Sequence, residues 1–339
     1  MNRRIIDKVG QKRGGYSDRQ FGLSPDCCNC LKGILAVCVL VHHLYQHSDL
    51  LHRTIIGVYL QAAGYLSVAC FFFLSGYGLY TSYQEKGEAY IKCFIKRKII
   101  PFYSLLSLLN GIYFAEGVLL GKTFSSITLL KSFSFGGTVI VNGWYLQVQL
   151  LLYLFFFITF RIVKKHKKCM ILGECFLFCA FMYVLGYSST WYESVFAFVA
   201  GMSWRELELH CRRPMSNKNI SLLCGIEFIL VCSSFVGSHI IDNAIVALIL
   251  KMLSAVCFAA LIVTAVNLIC VEYVVTRWLG KYSTEIYVFQ GLFLTLFHSQ
   301  FINIANQYIY IFMVVIATFV TAFFFHPVTK KIYSIVRSN

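Results

Sequence analysis

Carboxylates are scarce in this chain: 15 Asp and Glu among 339 residues, with charged residues of both signs at only 13%. A water-soluble domain carries about 25% charged residues. Fifteen acids cannot cover a globular surface of this length, which excludes an ordinary soluble enzyme. No stretch has the composition of a domain outside the bilayer, and no internal repeat is visible; a transporter built from two related halves often shows one weakly. No apolar stretch precedes a small-residue cleavage site near the start, so the first span is expected to direct its own insertion. Cys27, Cys28 and Cys30 have no matching second pair, and read as small membrane-proximal residues with no metal expected.

Apolar surface is abundant. Hydrophobic residues make up 58% and aromatics 17%, and mean hydropathy is +0.69. The expected fold class is an all-α, polytopic membrane bundle. Ten candidate spans are read at 33–47, 56–80, 99–121, 144–163, 169–187, 191–204, 219–238, 243–271, 283–298 and 303–325. The expected organisation is a basic N-terminal segment (1–30), a transmembrane domain (31–326) and a basic tail (327–339).

The net charge of +15 has a topological reading. Ten spans put both termini on one side, and 26 of the 30 Lys and Arg residues then fall on that side. The opposite side holds only Arg53, Lys122 and Lys131, while Lys251 lies within a span. The positive-inside rule makes the basic side cytoplasmic, with anionic lipid headgroups as the partner and no nucleic acid required.

Polar groups inside spans are costly and tend to face a cavity. Lys32 and His43 are 11 residues apart, which on an α-helix leaves them about 20° apart and about 16 Å along the axis. They share a face with His47, while His42 points about 100° away. A cation at the mouth with an imidazole deeper on the same stripe suits an anionic ligand; a core histidine bonded to a carbonyl is the plainer alternative. Ser75, in Ser75-Gly76-Tyr77-Gly78, lacks the strand-to-helix turn of a nucleophile elbow and reads as helix packing. Lys96-Arg97-Lys98, ahead of Pro101, is a topology signal that also suits phosphates. Glu116 is a candidate orienting partner for His43, and Lys251 is placed to pair with a carboxylate on a neighbouring helix.

These pieces, in order, resemble the acyltransferase 3 family of bacterial membrane acyltransferases. Cys30-Leu31-Lys32-Gly33-Ile34 with His43 resembles its opening motif, an Arg or Lys followed by an essential histidine. Segment 71–80 resembles its "FFxLSGY" motif, and 96–103 its basic "RR…P.Y" motif. Trp144-Tyr145-Leu146-Gln147-Val148-Gln149 with Tyr153 resembles "WxLxxE…Y". Trp278-Leu279-Gly280-Lys281-Tyr282-Ser283 with Ile286-Tyr287 resembles "LGxxS…IY". Lys32 stands where Arg is commoner, Gln149 where many relatives carry Glu, and Gln290 near where many carry His. The glutamines hydrogen-bond but do not exchange protons at neutral pH.

The resemblance implies transfer of an acyl group, commonly acetyl from acetyl-CoA, to a carbohydrate hydroxyl. It implies His43 and Lys32 as catalytic residues, and His43 as general base or acyl relay. Lys96, Arg97 and Lys98 would hold the donor's phosphates. Supporting positions are His42, Glu116, Ser75, Trp144, Gln149, Tyr153 and Ser283. Expected partners are acyl-CoA, a carbohydrate acceptor and membrane lipid, in the cytoplasmic membrane. Two alternatives stay open on sequence alone: a transporter or flippase, and a degenerate acyltransferase acting as a scaffold.

Overall fold

A computed structural model describes residues 22–210 and 215–338. The basic residues before position 22, and Arg212 and Arg213, lie outside the described residues. Every described element is helical, apart from an isolated antiparallel bridge between His298 and Asn303.

The helices are α1 (Pro25–Gln46), α2 (Ile55–Lys86), α3 (Glu88–Lys92), α4 (Ile100–Leu119), α5 (Ser126–Phe133), α6 (Trp144–Ile162) and α7 (Lys167–Val184). They continue with α8 (Phe196–His210), α9 (Asn217–Ile240), α10 (Ala244–Ala265), α11 (Val274–Lys281), α12 (Ser283–Leu296) and α13 (Gln307–Ser338). A single π-helical turn, Ile95–Ile99, runs directly into α4. Each of the ten expected spans coincides with a helix.

Among the described residues, seven helices are long and apolar enough to cross a membrane: α1, α2, the Ile95–Leu119 unit, α6, α9, α10 and α13. The other three expected spans fall short of that measure. α7 carries Lys167, Lys168 and Glu174 in its 18 residues, and α8 and α12 have only 15 and 14. The chain is a multi-pass helical membrane protein. Apolar side chains such as Phe228, Ile229, Ile245 and Ile249 stay exposed on α9 and α10, as a lipid-facing surface requires.

Burial sorts the helices into an inner and an outer set. In the most apolar stretch of α1, 61% of residues are buried, and of α2 56%, against 17% for α9 and 22% for α10 and α13. α1 packs on α2, α11 and α12, while α2 packs on α8 and α10. Two glycine pairs permit these contacts. A Cβ on Gly33 would lie 2.3 Å from the Gly280 backbone nitrogen, so α1 crosses α11 backbone against backbone. A Cβ on Gly76 would lie 2.0 Å from the Phe198 carbonyl oxygen, and one on Gly201 2.0 Å from that of Phe73, which fixes α2 on α8.

Among the boundaries that differ from the sequence expectation, three have a clear local setting. α1 starts at Pro25, not near 33, because the Ser24 side chain caps the Cys27 amide and proline suits the first turn. Lys32 therefore sits about two turns inside the helix. The 122–143 loop contains α5 and is tied down from within. Gln147 Nε2 donates to the carbonyls of Lys131, Ser132 and Gly137, and its Oε1 accepts from the Gly136 amide. The segment beyond 326 is not a separate tail, since α13 runs through Pro327 to Ser338.

Candidate functional site

α1 carries Lys32 and His43 into two different cavities that meet at one residue. The first, about 160 Å³, is lined by Lys32, Phe71, Ser75, Phe102, Tyr145, Gln149, Tyr153, Ser283 and Tyr287 among others. The second, about 90 Å³, is lined by His42, His43, Gln46, Tyr65, Asn142, Trp144, Thr190 and Tyr287 among others. Tyr287, on α12, belongs to both walls. Its ring packs against Tyr145 at 4.9 Å and Phe71 at 6.3 Å between centroids. Of these three rings only Tyr287 stands between the two spaces; Phe71 and Tyr145 line the first alone.

His43 is 6% exposed. Its Nδ1 lies 3.2 Å from Gln46 Oε1, one helical turn along α1. The geometry lets Nδ1–H donate to that oxygen, which leaves Nε2 with the lone pair. The Asn142 side-chain nitrogen is 3.2 Å from Nδ1 and 3.1 Å from Nε2, against the ring from the far side. Asn142 holds a left-handed backbone, φ 57°, which asparagine tolerates better than most residues. Its carbonyl oxygen accepts the Tyr287 hydroxyl at 3.2 Å. One short segment thus contacts both the imidazole and the dividing tyrosine.

His42 faces elsewhere, as the helical spacing requires. Its Nδ1 is 2.8 Å from the Leu60 carbonyl oxygen, and its ring fills the space left by Gly64. It is the carbonyl-bonded histidine that the plainer reading anticipates, although it also borders the His43 pocket.

The remaining expected residues fall into three groups. Lys32, Ser75, Gln149, Tyr153 and Ser283 gather in the first cavity. There Gln149 Nε2 donates to Ser75 Oγ at 3.0 Å, so the glutamine acts as a hydrogen-bonding wall group. Trp144 lines the second cavity. Lys96, Arg97 and Lys98 occupy the π-helical turn, with the first two exposed and Lys98 half-buried. Lys98 precedes Phe102 of the first cavity by one turn, and none of the three lines that cavity.

Two expectations meet corrections of geometry. Glu116 is not a hydrogen-bond partner of His43: its carboxylate accepts from Thr295 Oγ1 at 2.7 Å. Gln290 Nε2 donates to the Tyr287 carbonyl oxygen at 3.0 Å, as a support of α12. Lys251 does find a carboxylate, Glu193 at 2.9 Å, but in the turn ahead of α8 and not on a helix. Nothing in the sequence singles out Asn142 or Gln46 for chemistry, and Tyr287 stands in the segment resembling "LGxxS…IY" with no role attached to it. The Asn142-Gly143 pair marks only a turn, and nothing local says what that turn touches.

A family model described as an acyltransferase domain matches residues 27–326. Neither curated proteins nor solved structures give a significant match to this chain. The matched region holds α2 to α12, α1 from its third residue, and the lining of both cavities except Tyr333, and on that match the chain belongs to the acyltransferase 3 family and is a membrane acyltransferase.

Proposed function

We propose that this protein moves an acyl group, most simply acetyl, from cytoplasmic acyl-CoA to a hydroxyl of a cell-surface or lipid-linked carbohydrate. The single observation behind this reading is the pair of cavities meeting at Tyr287, one holding a lysine and the other a buried histidine. The face with 26 basic residues is the cytoplasmic one, and the membrane is the cytoplasmic membrane.

In this reading the donor enters from the basic side. Its phosphates meet Lys96, Arg97 and Lys98 at the rim, and Lys32 deeper in. The thioester arm lies in the first cavity and passes its carbonyl beyond the ring of Tyr287. An acceptor hydroxyl arrives from the opposite side beside His43. Nε2 of His43 takes the hydroxyl proton as the oxygen bonds to the acyl carbon. The carbon–sulfur bond then breaks, and the departing CoA thiolate takes the proton from the imidazolium. Gln46 and Asn142 hold the ring for that exchange. A covalent acyl-histidine relay uses the same residue and differs in one additional intermediate.

The test is acyl transfer by purified protein in proteoliposomes, followed by mass spectrometry of the sugar product. His43→Ala, confirmed as inserted in the membrane, is expected to lose transfer by about 10²–10⁴-fold, the usual contribution of a general base. Undiminished transfer would remove His43 from the mechanism. Solute flux without acyl-CoA consumption would favour a transporter instead.

A further inference from the structure

A third cavity, about 630 Å³, opens on the side of α1 and α2 away from the basic face. It shares His42, Gln46, Tyr65 and Thr190 with the His43 pocket, so the two spaces adjoin. Its volume falls in the ~300–1,000 Å³ range of small-molecule sites.

The charge of this cavity is one-sided. Among the described residues no Asp or Glu lines it, whereas Arg53, Lys251, His42 and His239 do. Only four Lys and Arg residues of the chain lie off the basic side, namely Arg53, Lys122, Lys131 and Lys251. Two of those four converge on this single space. Arg53 on the far side works against the positive-inside bias and Lys251 within a span is costly in lipid, so topology gives no reason for either.

The two cations are held differently. Lys251 Nζ pairs with Glu193 at 2.9 Å and sits 5.0 Å from the centroid of the Tyr65 ring. Glu193 is only 1% exposed, behind the lysine, which keeps further N–H groups to donate. Arg53 has no ion pair among the described residues. It projects from a turn in which Leu51 and Arg53 both take left-handed backbone, φ 63° and 65°. His52 pins that turn through the Ser48 carbonyl at 2.6 Å. Non-glycine residues rarely hold that conformation, and where they do the surrounding structure imposes it.

We propose that this cavity binds the acceptor through an anionic group, a sugar carboxylate or phosphate, with Arg53 as its main counter-ion and Lys251 as a second donor. Tyr45 and Tyr65 offer aromatic walls to the sugar ring. The inference rests on the acyl-acceptor reading of the His43 pocket and narrows it to acidic glycans.

The experiment is direct binding to the full chain in nanodiscs of neutral phosphatidylcholine. The probes are two matched pairs: a uronic acid trisaccharide against its methyl ester, and a hexose phosphate against the hexose. The acidic member of at least one pair is expected to bind about 10-fold or more tighter, as a charge-assisted pair provides. That advantage should shrink as salt rises. Arg53→Gln should bring the two members close to parity, and Arg53→Lys should keep part of the difference. Lys251 is tested as the double change Glu193→Gln with Lys251→Gln, which leaves no orphaned carboxylate.

Equal binding of acid and neutral forms, or a preference untouched by Arg53→Gln, overturns the proposal. So does competition by anionic lipid alone with no acidic sugar bound, which would make the cavity a headgroup site. Acyl transfer is read separately with the same sugars. Transfer to both with equal binding sinks the anionic acceptor and leaves the acyltransferase reading standing. Acid-selective binding with no transfer to either sinks the carbohydrate-acceptor reading and leaves the anion site.

Discussion

The Tyr287 hydroxyl donates to the Asn142 carbonyl oxygen at 3.2 Å, and the same Asn142 reaches the His43 ring with its side chain. The residue that divides the two cavities is therefore tied to the residue that braces the imidazole.

Removing the divider should join the cavities. Tyr287→Ala is expected to admit water to the donor and to raise acyl-CoA hydrolysis without acceptor, while transfer to sugar falls. Tyr287→Phe keeps the ring but loses the bond to Asn142, and should lower transfer with little added hydrolysis. Free CoA release, with and without sugar, measures both. Equal hydrolysis by wild type and Tyr287→Ala would show that the ring is no barrier.

Asn142 and Gln46 position the ring without touching the reacting carbon. Asn142→Ala or Gln46→Ala should lower kcat about 10-fold, of the order of one lost hydrogen bond at the base. The KM for acyl-CoA should stay near its wild-type value. Gln46→Glu should restore part of the loss, because a carboxylate also accepts from Nδ1–H. A rise in donor KM with unchanged kcat would assign both residues to binding instead.

Lys32 acts on the donor side in this reading. Lys32→Ala is expected to raise the KM for acyl-CoA by about 10-fold, the scale of a charge-assisted contact. Lys32→Arg should recover most of it. The effect should be larger at low ionic strength, since salt weakens such contacts most where water reaches them. Steady-state kinetics at two salt concentrations read this directly.

The α1–α11 crossing sets a stability test independent of chemistry. Gly33→Leu places carbon where the Gly280 backbone runs, 2.3 Å from its nitrogen, so the helices must separate. The expected cost is several kcal/mol, above the ~1–3 kcal/mol typical of overpacking, because backbone and not a flexible side chain is displaced. The sign is a lower unfolding temperature and less monodisperse protein in detergent. Gly78→Ala is the control, since a Cβ there meets nothing within 4 Å.

The fold class is legible in the composition because lipid imposes it. A chain this apolar must satisfy its backbone internally, and apolar runs of this length do so as helices. The placing of Lys32 and His43 on one stripe is legible too, since it needs only the helical period. Local hydropathy is a weaker guide to ends: the Ser24 cap and Pro25 start α1 well before its apolar run, and α13 continues past its apolar run through Pro327 to Ser338.

What the sequence determined by itself is the helical membrane bundle and the family motifs, because each is written in composition, in the period of one helix or in short runs of neighbours. Only the tertiary structure decided that Lys32 and His43 open onto separate cavities, that Tyr287 from a helix more than 240 residues away divides them, and that His43 leans on Asn142 and not on Glu116. Those outcomes depend on how close two backbones can come, at Gly33 against Gly280 and at Gly76 against Phe198. Close approach sets the rotation of each helix against its neighbours, and no local stretch of sequence encodes that rotation.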